Sequence, residues 1–170
     1  IKNNSIIFTH CHSSTVANAL IYCHKNRKKF EVYNTEARPL YQGRITASEL
    51  RKAGIKVTMF VDSAAATAIE KEDRKDKIHA DLVLFGTDAI LKKGVVNKIG
   101  SGMFAEIAYD SKVPVYILTD SLKYIPKIQL EQRDFKEVWN TERNIKIKNP
   151  AFELIKRKYI TGVISELGNL

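Results

Sequence analysis

The sequence predicts an α/β fold, with a doubly wound, mostly parallel sheet and helices on both of its faces. Short runs of almost continuous apolar residues are typical of strands that are buried on both sides. Segments with apolar residues at helical spacing alternate with these runs, which indicates β-α-β units with right-handed crossovers. The chain has 170 residues, of which 44% are apolar, and this is enough for one domain with a core of its own.

The predicted elements follow one another regularly along the chain. We predict strands at residues 5–9, 30–34, 56–61, 81–85, 115–118 and, from a weaker pattern, 162–165. We predict helices at residues 13–26, 47–53, 63–72 and 101–111. With such connections, the turns that follow the strands gather at one edge of the sheet, where open α/β sheets usually bind ligands.

The charge of the chain is strongly basic but diffuse. The formal net charge is +9, and the lysine and arginine residues are interspersed with acidic ones. Solvated surface charge accounts for this pattern best, followed by a surface that attracts a phosphorylated small molecule. Nucleic acid is disfavoured as a partner, since the sequence has no long basic tail and no ladder of basic and aromatic residues.

We expect neither a membrane span nor a secretory leader, because the sequence contains no long apolar run and begins almost directly in a predicted strand. Its two cysteines, Cys11 and Cys23, would lie on one turn and on the helix that the turn starts. A disulfide between them would need a broken helix, so a reducing cytoplasm is the expected location. Cys23 lies on the apolar stripe of that helix and is expected in the core.

The turn after the first strand carries the candidate reactive group, Cys11. A thiol there would lie near unpaired backbone N–H groups and the positive end of a helix dipole, which favour an anion. Its neighbours His10, His12 and Ser13 are polar, and a nearby imidazolium would also stabilise a thiolate. Free cysteines are often inert core residues, so both interpretations stay open. A zinc site is disfavoured because adjacent side chains splay apart and no second cysteine pair exists.

Two further turns carry carboxylates. Asp62 follows the third strand and is best placed as the N-cap of the next helix. Asp88 follows Gly86, which frees the backbone for a sharp turn after the fourth strand. Asp88 has two interpretations: it caps the short segment 89–91, or it is a carboxylic acid whose pKa is raised by burial, so that it can donate a proton.

A glycine-rich segment, residues 93–102, leads into the last predicted helix. Its glycines, Lys98 and the helix start could cradle a phosphate, although an ordinary loop is the simpler interpretation. The glycine spacing matches neither a Walker nor a Rossmann fingerprint. Together with Cys11 and Asp88, such a segment would supply a base, an acid and an anion site. These are the parts that an aldose–ketose isomerisation of a sugar phosphate needs.

The residues at these turns also resemble a known superfamily. It unites ribose 1,5-bisphosphate isomerase, methylthioribose 1-phosphate isomerase and the alpha, beta and delta subunits of translation initiation factor 2B. The matching motifs are THCHS at 9–13, TEARP at 35–39, QG at 42–43, ASEL at 47–50, VDSAA at 61–65, GTD at 86–88, NKIG at 97–100 and NPAF at 149–152. Their order and gaps agree across nearly the whole chain, and the details are most similar to the archaeal ribose 1,5-bisphosphate isomerase branch.

The resemblance implies a role for each motif residue. In the enzymes of this superfamily the cysteine is the proton acceptor and the aspartate is the proton donor, which here are Cys11 and Asp88. By the same resemblance, the substrate would be bound by Ser13, Ser14, Thr15, Asn97, Lys98 and Lys123, the last of them at a second phosphate. No metal and no organic cofactor are implied. Two departures are mild: GTD replaces Gly-Ala-Asp, and Ser101 replaces the usual threonine.

The resemblance also implies that residues 1–170 form a single Rossmann-like domain, without the helical N-terminal domain that supplies the rest of the substrate pocket. We therefore expect an isomerase of a phosphorylated pentose, or its catalytic domain, in the cytoplasm and with a homo-oligomer as one expected assembly. The alternative is a non-catalytic subunit similar to those of translation initiation factor 2B. Such a subunit would bind a sugar phosphate or nucleotide and protein partners such as translation initiation factor 2.

Overall fold

A computed structural model describes residues 1–70 and 79–169 of the chain. The strands are β1 (Ser5–Thr9), β2 (Phe30–Thr35), β3 (Lys56–Phe60), β4 (Leu82–Phe85), β5 (Ala89–Leu91), β6 (Gly94–Lys98), β7 (Val115–Leu118), β8 (Phe152–Lys156), β9 (Gly162–Ser165) and β10 (Gly168–Asn169). The helices are α1 (Ser14–Lys25), α2 (Gly43–Lys52), α3 (Ala66–Ile69) and α4 (Ser101–Asp110), with 3-10 turns at Asp62–Ala64, Ser121–Lys123, Phe135–Glu137 and Arg157–Tyr159. None of these helices has the length and apolar character needed to span a lipid bilayer.

Within the described residues, seven strands form the main sheet, in the order β10-β9-β7-β4-β1-β2-β3. Neighbouring strands are parallel except β9 and β10, so the predicted fold class is confirmed. All six predicted strands lie in this sheet, and each of their ends falls within one residue of its predicted position. The carboxyl ends of the parallel strands therefore share one edge, as the alternation of strand and helix requires.

Side chains that alternate along β1 contribute to two cores, one on each face of the sheet. Ile7 packs on one face with Leu20 of α1. Phe8 packs on the other face, where its ring meets Phe85 and Phe104 edge to face at centroid distances of 6.3 and 5.5 Å. This alternation has the period of two that a strand imposes. Helices α1 and α2 cover the first face and α3 and α4 the second, so helices on both faces are also confirmed.

The small antiparallel sheet, with the strand order β5-β6-β8, is not predicted by the sequence pattern. The segment 89–91 is a strand rather than a capped turn, and half of the glycine-rich segment 93–102 is a strand rather than a loop. Val95 of β6 pairs with Ile155 of β8, which lies far along the chain. Because strand pairing of this kind depends on a distant partner, the local pattern shows only the glycines.

The helix boundaries differ more from the prediction than the strand boundaries do. Helices α1 and α4 are confirmed to within one residue at each end. Helix α2 begins at Gly43 rather than at residue 47. The predicted helix 63–72 is observed as a 3-10 turn followed by the short α3, and its last two residues, 71–72, lie outside the described residues.

Asp62 does not cap the helix that follows it, so this prediction is wrong. Its carboxylate oxygens instead accept hydrogen bonds from the backbone N–H groups of Ala37 at 2.9 Å and Arg38 at 2.7 Å, in the loop after β2. Ala37 has a φ of 59°, outside regular structure. Its N–H therefore needs a side-chain partner, and the neighbouring strand end supplies one.

Candidate active site

The candidate site lies at the carboxyl edge of the main sheet, where the turns after β1 and β4 meet. The two strands are hydrogen-bonded neighbours. A Cβ atom on Gly86 would lie only 2.3 Å from the Oγ atom of Ser13, so the turns touch and only glycine fits at this point. The Cys11 turn therefore lies directly beside the Asp88 turn, as we expect from the strand order.

Cys11 has an unusual backbone conformation and a buried side chain. Its φ of 67° lies in the left-handed region, which residues other than glycine rarely adopt. The residue is 7% exposed, and its Sγ atom lies 3.6 Å from the Oε1 atom of Gln42. Burial raises the pKa of the Cys11 thiol above its ordinary value, against the opposing effects of the His12 backbone N–H and the Lys98 charge. The thiol is therefore protonated at neutral pH in this structure.

Burial outweighs the stabilisation of a thiolate that we expected from the helix start, and His10 does not supply the expected imidazolium. Helix α1 begins at Ser14, and the side chain of Ser13 accepts a hydrogen bond from the N–H of Val16 at 3.4 Å. The helix start is thus capped by serine rather than directed at the thiol. His10 carries no charge at neutral pH, because burial lowers the pKa of its imidazole to about 4.

The side chain of His10 contacts a different part of the fold from the side chains of Cys11 and His12, which both reach the start of α2. The Nδ1 atom of His10 lies 2.5 Å from the Oγ1 atom of Thr35, and its Nε2 atom lies 2.9 Å from the carbonyl oxygen of Ile99. His12 instead contacts helix α2. The three side chains do not converge, and in the described part of the chain no group of three His, Cys, Asp or Glu residues is arranged to hold a metal ion.

Lowering the pH will destabilise the fold through His10. Its pKa falls from 6.5 to about 4 because the ring is buried, and the hydrogen bond to Ile99 opposes this only in part. The fold therefore favours the neutral ring. The resulting stability is fully present above pH 6.5 and is lost as the pH falls toward 4. The difference in pKa corresponds to about 3 kcal/mol in the free energy of unfolding.

Urea denaturation of the wild type and of His10→Gln will measure this effect. Glutamine keeps an amide donor but does not titrate, so the variant lacks the pH-dependent contribution. Between about pH 7 and about pH 4, the wild type is expected to lose about 3 kcal/mol more than the variant. Equal losses in the two proteins would show that His10 does not govern the acid instability.

Asp88 lies at the mouth of the site, where the main sheet passes into the small one. Its backbone N–H donates to the carbonyl oxygen of Val96 at 2.8 Å and β5 begins at the next residue, so its interpretation as a helix cap is wrong. The side chain is exposed on one side. Partial burial nevertheless raises the pKa of the Asp88 carboxyl, against the opposing charges of Lys123 and Lys98. A carboxyl group in this position can hold a proton and donate it.

Lys98 is the buried cation of the site. The residue ends β6 and is 5% exposed, and no hydrogen bond or ion pair joins its ammonium to another described residue. Its charge lowers the pKa of both Cys11 and Asp88, so it acts on both groups. Lys123 is half-buried beside Asp88 and donates to the carbonyl oxygen of Thr87 at 2.6 Å. Two ammonium groups at one sheet edge can bind an anion such as a phosphate.

The start of helix α4 does not form the phosphate cradle that the glycine-rich segment could have supplied. The Oε1 atom of Glu153 accepts hydrogen bonds from the N–H groups of Gly100 at 2.6 Å and Gly102 at 2.8 Å. A carboxylate of the protein thus occupies the position where an anion is most stabilised by a helix. The helix start and its glycines are therefore not available to an anion, and Lys98 is the part of the predicted phosphate cradle that is left at the sheet edge.

The other residues predicted to contact substrate are spread around this edge. Ser13 caps α1, whereas Ser14 and Thr15 are exposed in the first turn of that helix. Asn97 is buried, and its Nδ2 atom donates to the Oγ atom of Ser101 at 2.9 Å. Asn97 therefore holds the start of α4 in this structure, while the exposed serine and threonine are accessible to a ligand.

Two residues that were assigned no role from the sequence reach the Cys11 turn, although one of them, Gln42, belongs to the QG motif. Gln42 precedes α2 and lies beside the thiol, and Thr46 donates to the carbonyl oxygen of Cys11 at 2.9 Å. A signal for Thr46 is present in the sequence, because it lies one turn before Leu50 on the stripe of α2 that packs on the core. A polar residue on such a stripe needs a buried partner.

The whole chain matches one family model. Residues 1–170 match the Initiation factor 2 subunit family, IF-2B, and the chain belongs to this family. The superfamily predicted from the motifs is thereby confirmed. The ribose 1,5-bisphosphate isomerase of Archaeoglobus fulgidus is 36% identical over 178 aligned residues, which cover 99% of this chain and 54% of that protein. The chain spans about half the length of the curated relatives it matches.

Solved structures show the same fold. The translation initiation factor eIF-2B of Pyrococcus horikoshii OT3 superposes with a TM-score of 0.87 at 30% identity, covering 100% of this chain and 59% of that one. The 5-methylthioribose 1-phosphate isomerase of the same organism superposes with a TM-score of 0.87 at 26% identity, covering 100% of this chain and 52% of that one. Proteins named as enzymes and proteins named as translation factors thus share this architecture.

Proposed function

We propose that this chain is the catalytic domain of an aldose–ketose isomerase for a phosphorylated pentose, of the type that converts ribose 1,5-bisphosphate to ribulose 1,5-bisphosphate. One observation carries the proposal: the Cys11 thiol and the Asp88 carboxyl follow neighbouring strands, and the charge of the buried Lys98 acts on both. An acid, a base and a cation at one edge are the groups that the reaction needs.

In this proposal Asp88 is the acid and Cys11 is the base. Asp88 gives a proton to the ring oxygen of the sugar as the bond from that oxygen to C1 breaks. The Cys11 thiolate takes the proton from C2, and an enol forms between C1 and C2. Cys11 then returns a proton to C1, and Asp88 recovers one from the 2-hydroxyl, which becomes the ketone. No atoms or electrons are gained or lost, so the reaction is an isomerisation.

The two pKa shifts determine where the proton lies before the reaction. Burial raises the pKa of both groups, and because a thiol is ordinarily a far weaker acid than a carboxyl, the resting pair holds its proton on the thiol. Transfer of that proton from Cys11 to Asp88, through substrate or water, produces the active base and the active acid together. This transfer changes no net charge. The charge of Lys98 favours the thiolate that results, and it opposes the protonated form of Asp88.

The cations would bind the two phosphates of the substrate. Lys98 is buried at the end of β6, and Lys123 lies near Asp88 and donates to the carbonyl oxygen of Thr87. An ammonium binds a phosphate as a compact charge, whichever oxygen is nearest. The remaining substrate contacts proposed from the family resemblance are Ser13, Ser14, Thr15 and Asn97.

The direct test is an assay of the full-length gene product with ribose 1,5-bisphosphate, followed by phosphorus NMR. In D2O, the proposed proton transfer places deuterium at C1 of the ketose product. Formation of deuterated ribulose 1,5-bisphosphate supports the proposal. If neither ribose 1,5-bisphosphate nor methylthioribose 1-phosphate is converted, the proposal is wrong. Conversion without deuterium would mean either that Cys11 returns to C1 the proton that it took from C2, or that a hydride moves, and wild-type activity in Cys11→Ser would then point to the hydride.

A non-catalytic subunit is the second candidate, because a structure named translation initiation factor eIF-2B has a TM-score of 0.87 and 30% identity to this chain. Such a subunit would bind a sugar phosphate or nucleotide, with translation initiation factor 2 as a partner. Calorimetry with sugar phosphates and nucleotides, together with a pull-down of that factor, separates the two functions. Turnover without factor binding supports the isomerase, and factor binding without turnover supports the subunit.

We also propose that the full-length protein is cytoplasmic and forms a homo-oligomer. Both cysteines are free, which favours a reducing compartment. Several large apolar side chains are exposed, and Leu122 and Leu167 are the most exposed of them, at 87% and 73%. A second subunit would cover such residues. Sedimentation analysis of the full-length protein tests the assembly, and a monomer at all concentrations would contradict it.

A further inference from the structure

We propose that Thr46 and His12 position the thiol of Cys11, through a chain of hydrogen bonds that ends on the Cys11 carbonyl oxygen. This inference rests on the proposed function for its effect on catalysis. Its structural content, that helix α2 holds the turn in its left-handed conformation, does not depend on that function. Neither residue belongs to the acid, base or phosphate-binding groups described above.

The backbone conformation of Cys11 needs to be held in place. A residue with a Cβ atom at a φ of 67° is strained, and such conformations persist where the surroundings fix them. The Oγ1 atom of Thr46 lies 2.9 Å from the carbonyl oxygen of Cys11, in a buried contact between α2 and the turn. Thr46 is itself only 2% exposed. Water therefore cannot readily replace its hydroxyl at this carbonyl group.

The direction of the hydrogen bonds follows from what each group can donate. A carbonyl oxygen only accepts, so the single proton of the Thr46 hydroxyl points at Cys11. The Nδ1 atom of His12 lies 3.1 Å from the same hydroxyl oxygen, and it must then be the donor in that contact. His12 therefore carries its proton on Nδ1. Both bonds run in one direction, so each polarises the next.

The position of helix α2, which carries Thr46, is fixed by close contacts with β2. The Nδ2 atom of Asn34, at the end of β2, donates to the carbonyl oxygen of Gly43 at 2.6 Å. A Cβ atom on Gly43 would lie 1.8 Å from the carbonyl oxygen of Thr35, so the first turn of α2 rests directly on that strand. The same turn of chain places Gln42 beside the thiol. The thiol is thus located by α2 and β2 as well as by β1.

The test compares variants of the full-length protein that lose or keep each hydrogen bond. Thr46→Val keeps the shape of the side chain and loses the hydroxyl, and we expect kcat to fall about tenfold to a hundredfold with little change in KM. Thr46→Ser keeps the hydroxyl and is expected to restore most of kcat. We expect His12→Leu to lower kcat as Thr46→Val does. The amide N–H of His12→Asn can replace Nδ1–H, so this variant should keep most of kcat.

A second measurement does not depend on isomerase activity. In a Cys23→Ala background, the alkylation of Cys11 by iodoacetamide is followed by peptide mass spectrometry. Release of the turn in Thr46→Val or His12→Leu exposes the buried thiol, so we expect alkylation to become several-fold faster, and Thr46→Ser should react like the background protein. If Thr46→Val and His12→Leu both have the alkylation rate of the background protein and the kcat of the wild type, these residues do not position the thiol. If the wild type shows no isomerase activity, the proposed function fails while the alkylation rates still decide the positioning.

Discussion

Replacing Cys11 with serine will lower kcat for ribose 1,5-bisphosphate isomerisation by the full-length protein by about 10³- to 10⁴-fold. Serine keeps a hydroxyl beside Gln42, so the turn and its packing change little. A hydroxyl is a far weaker acid than a thiol, however, and it does not supply an anionic base near neutral pH. Because the phosphates are bound by lysines in our proposal, KM is expected to change much less than kcat.

Steady-state kinetics will measure the large fall in kcat and the small change in KM, and Cys23→Ser is the matched control. Cys23 is half-buried on α1, packed against the core away from the carboxyl edge. Its replacement should leave kcat close to the wild-type value. A Cys11→Ser protein that keeps more than about a tenth of the wild-type kcat would remove Cys11 from the role of base, because loss of a general base usually costs at least about a hundredfold.

Replacing Asp88 with asparagine will have two effects of opposite sign. Asparagine cannot donate a proton to the ring oxygen, so we expect kcat to fall by about 10²- to 10⁴-fold. The negative charge of Asp88 raises the pKa of the Cys11 thiol, and its removal will lower that pKa. The variant should therefore react faster with iodoacetamide at a fixed neutral pH, although it isomerises more slowly.

Asp110→Asn serves as the control for this experiment, since Asp110 is exposed at the far end of α4. It should change neither kcat nor the alkylation rate of Cys11. If Asp88→Asn slows both reactions, the variant has disturbed the turn itself, and the electrostatic link between the two groups is not supported. If Asp88→Asn keeps the wild-type kcat, Asp88 is not the acid.

The main sheet could be predicted from the sequence because its strands are buried on both faces. Continuous apolar runs such as Leu82–Phe85 and Val115–Leu118 can be recognised as strands from their own residues, without knowing which strands pair with them. The small sheet could not, because β6 depends on pairing with β8. Its glycines and lysines resemble a loop until the distant strand is in place. The local sequence pattern therefore predicts the burial of a strand well, but it does not predict pairing with a strand far along the chain.

The candidate site was predictable in position and less so in its electrostatics. The ends of β1 and β4 place Cys11 and Asp88 on one edge by topology alone. The raised pKa of the thiol depends on burial, which follows from the packing of α2 against the turn. The position of the Glu153 carboxylate at the start of α4 could not be predicted either, because Glu153 lies in β8, far along the chain from the two glycines that it contacts.

The two sheets hold different parts of the proposed site. The thiol and the carboxyl follow strands of the main sheet, whereas Lys98 ends β6 of the small sheet. A substitution in β8 that shifts β6 would therefore move Lys98 and the Asp88 turn together, because the Asp88 N–H donates to the carbonyl oxygen of Val96 in β6. In the proposed function, the small sheet thus ties the phosphate-binding cation to the acid, whereas the base follows a strand of the main sheet. Remodelling this three-stranded sheet would change substrate recognition and the strength of the acid in a single step.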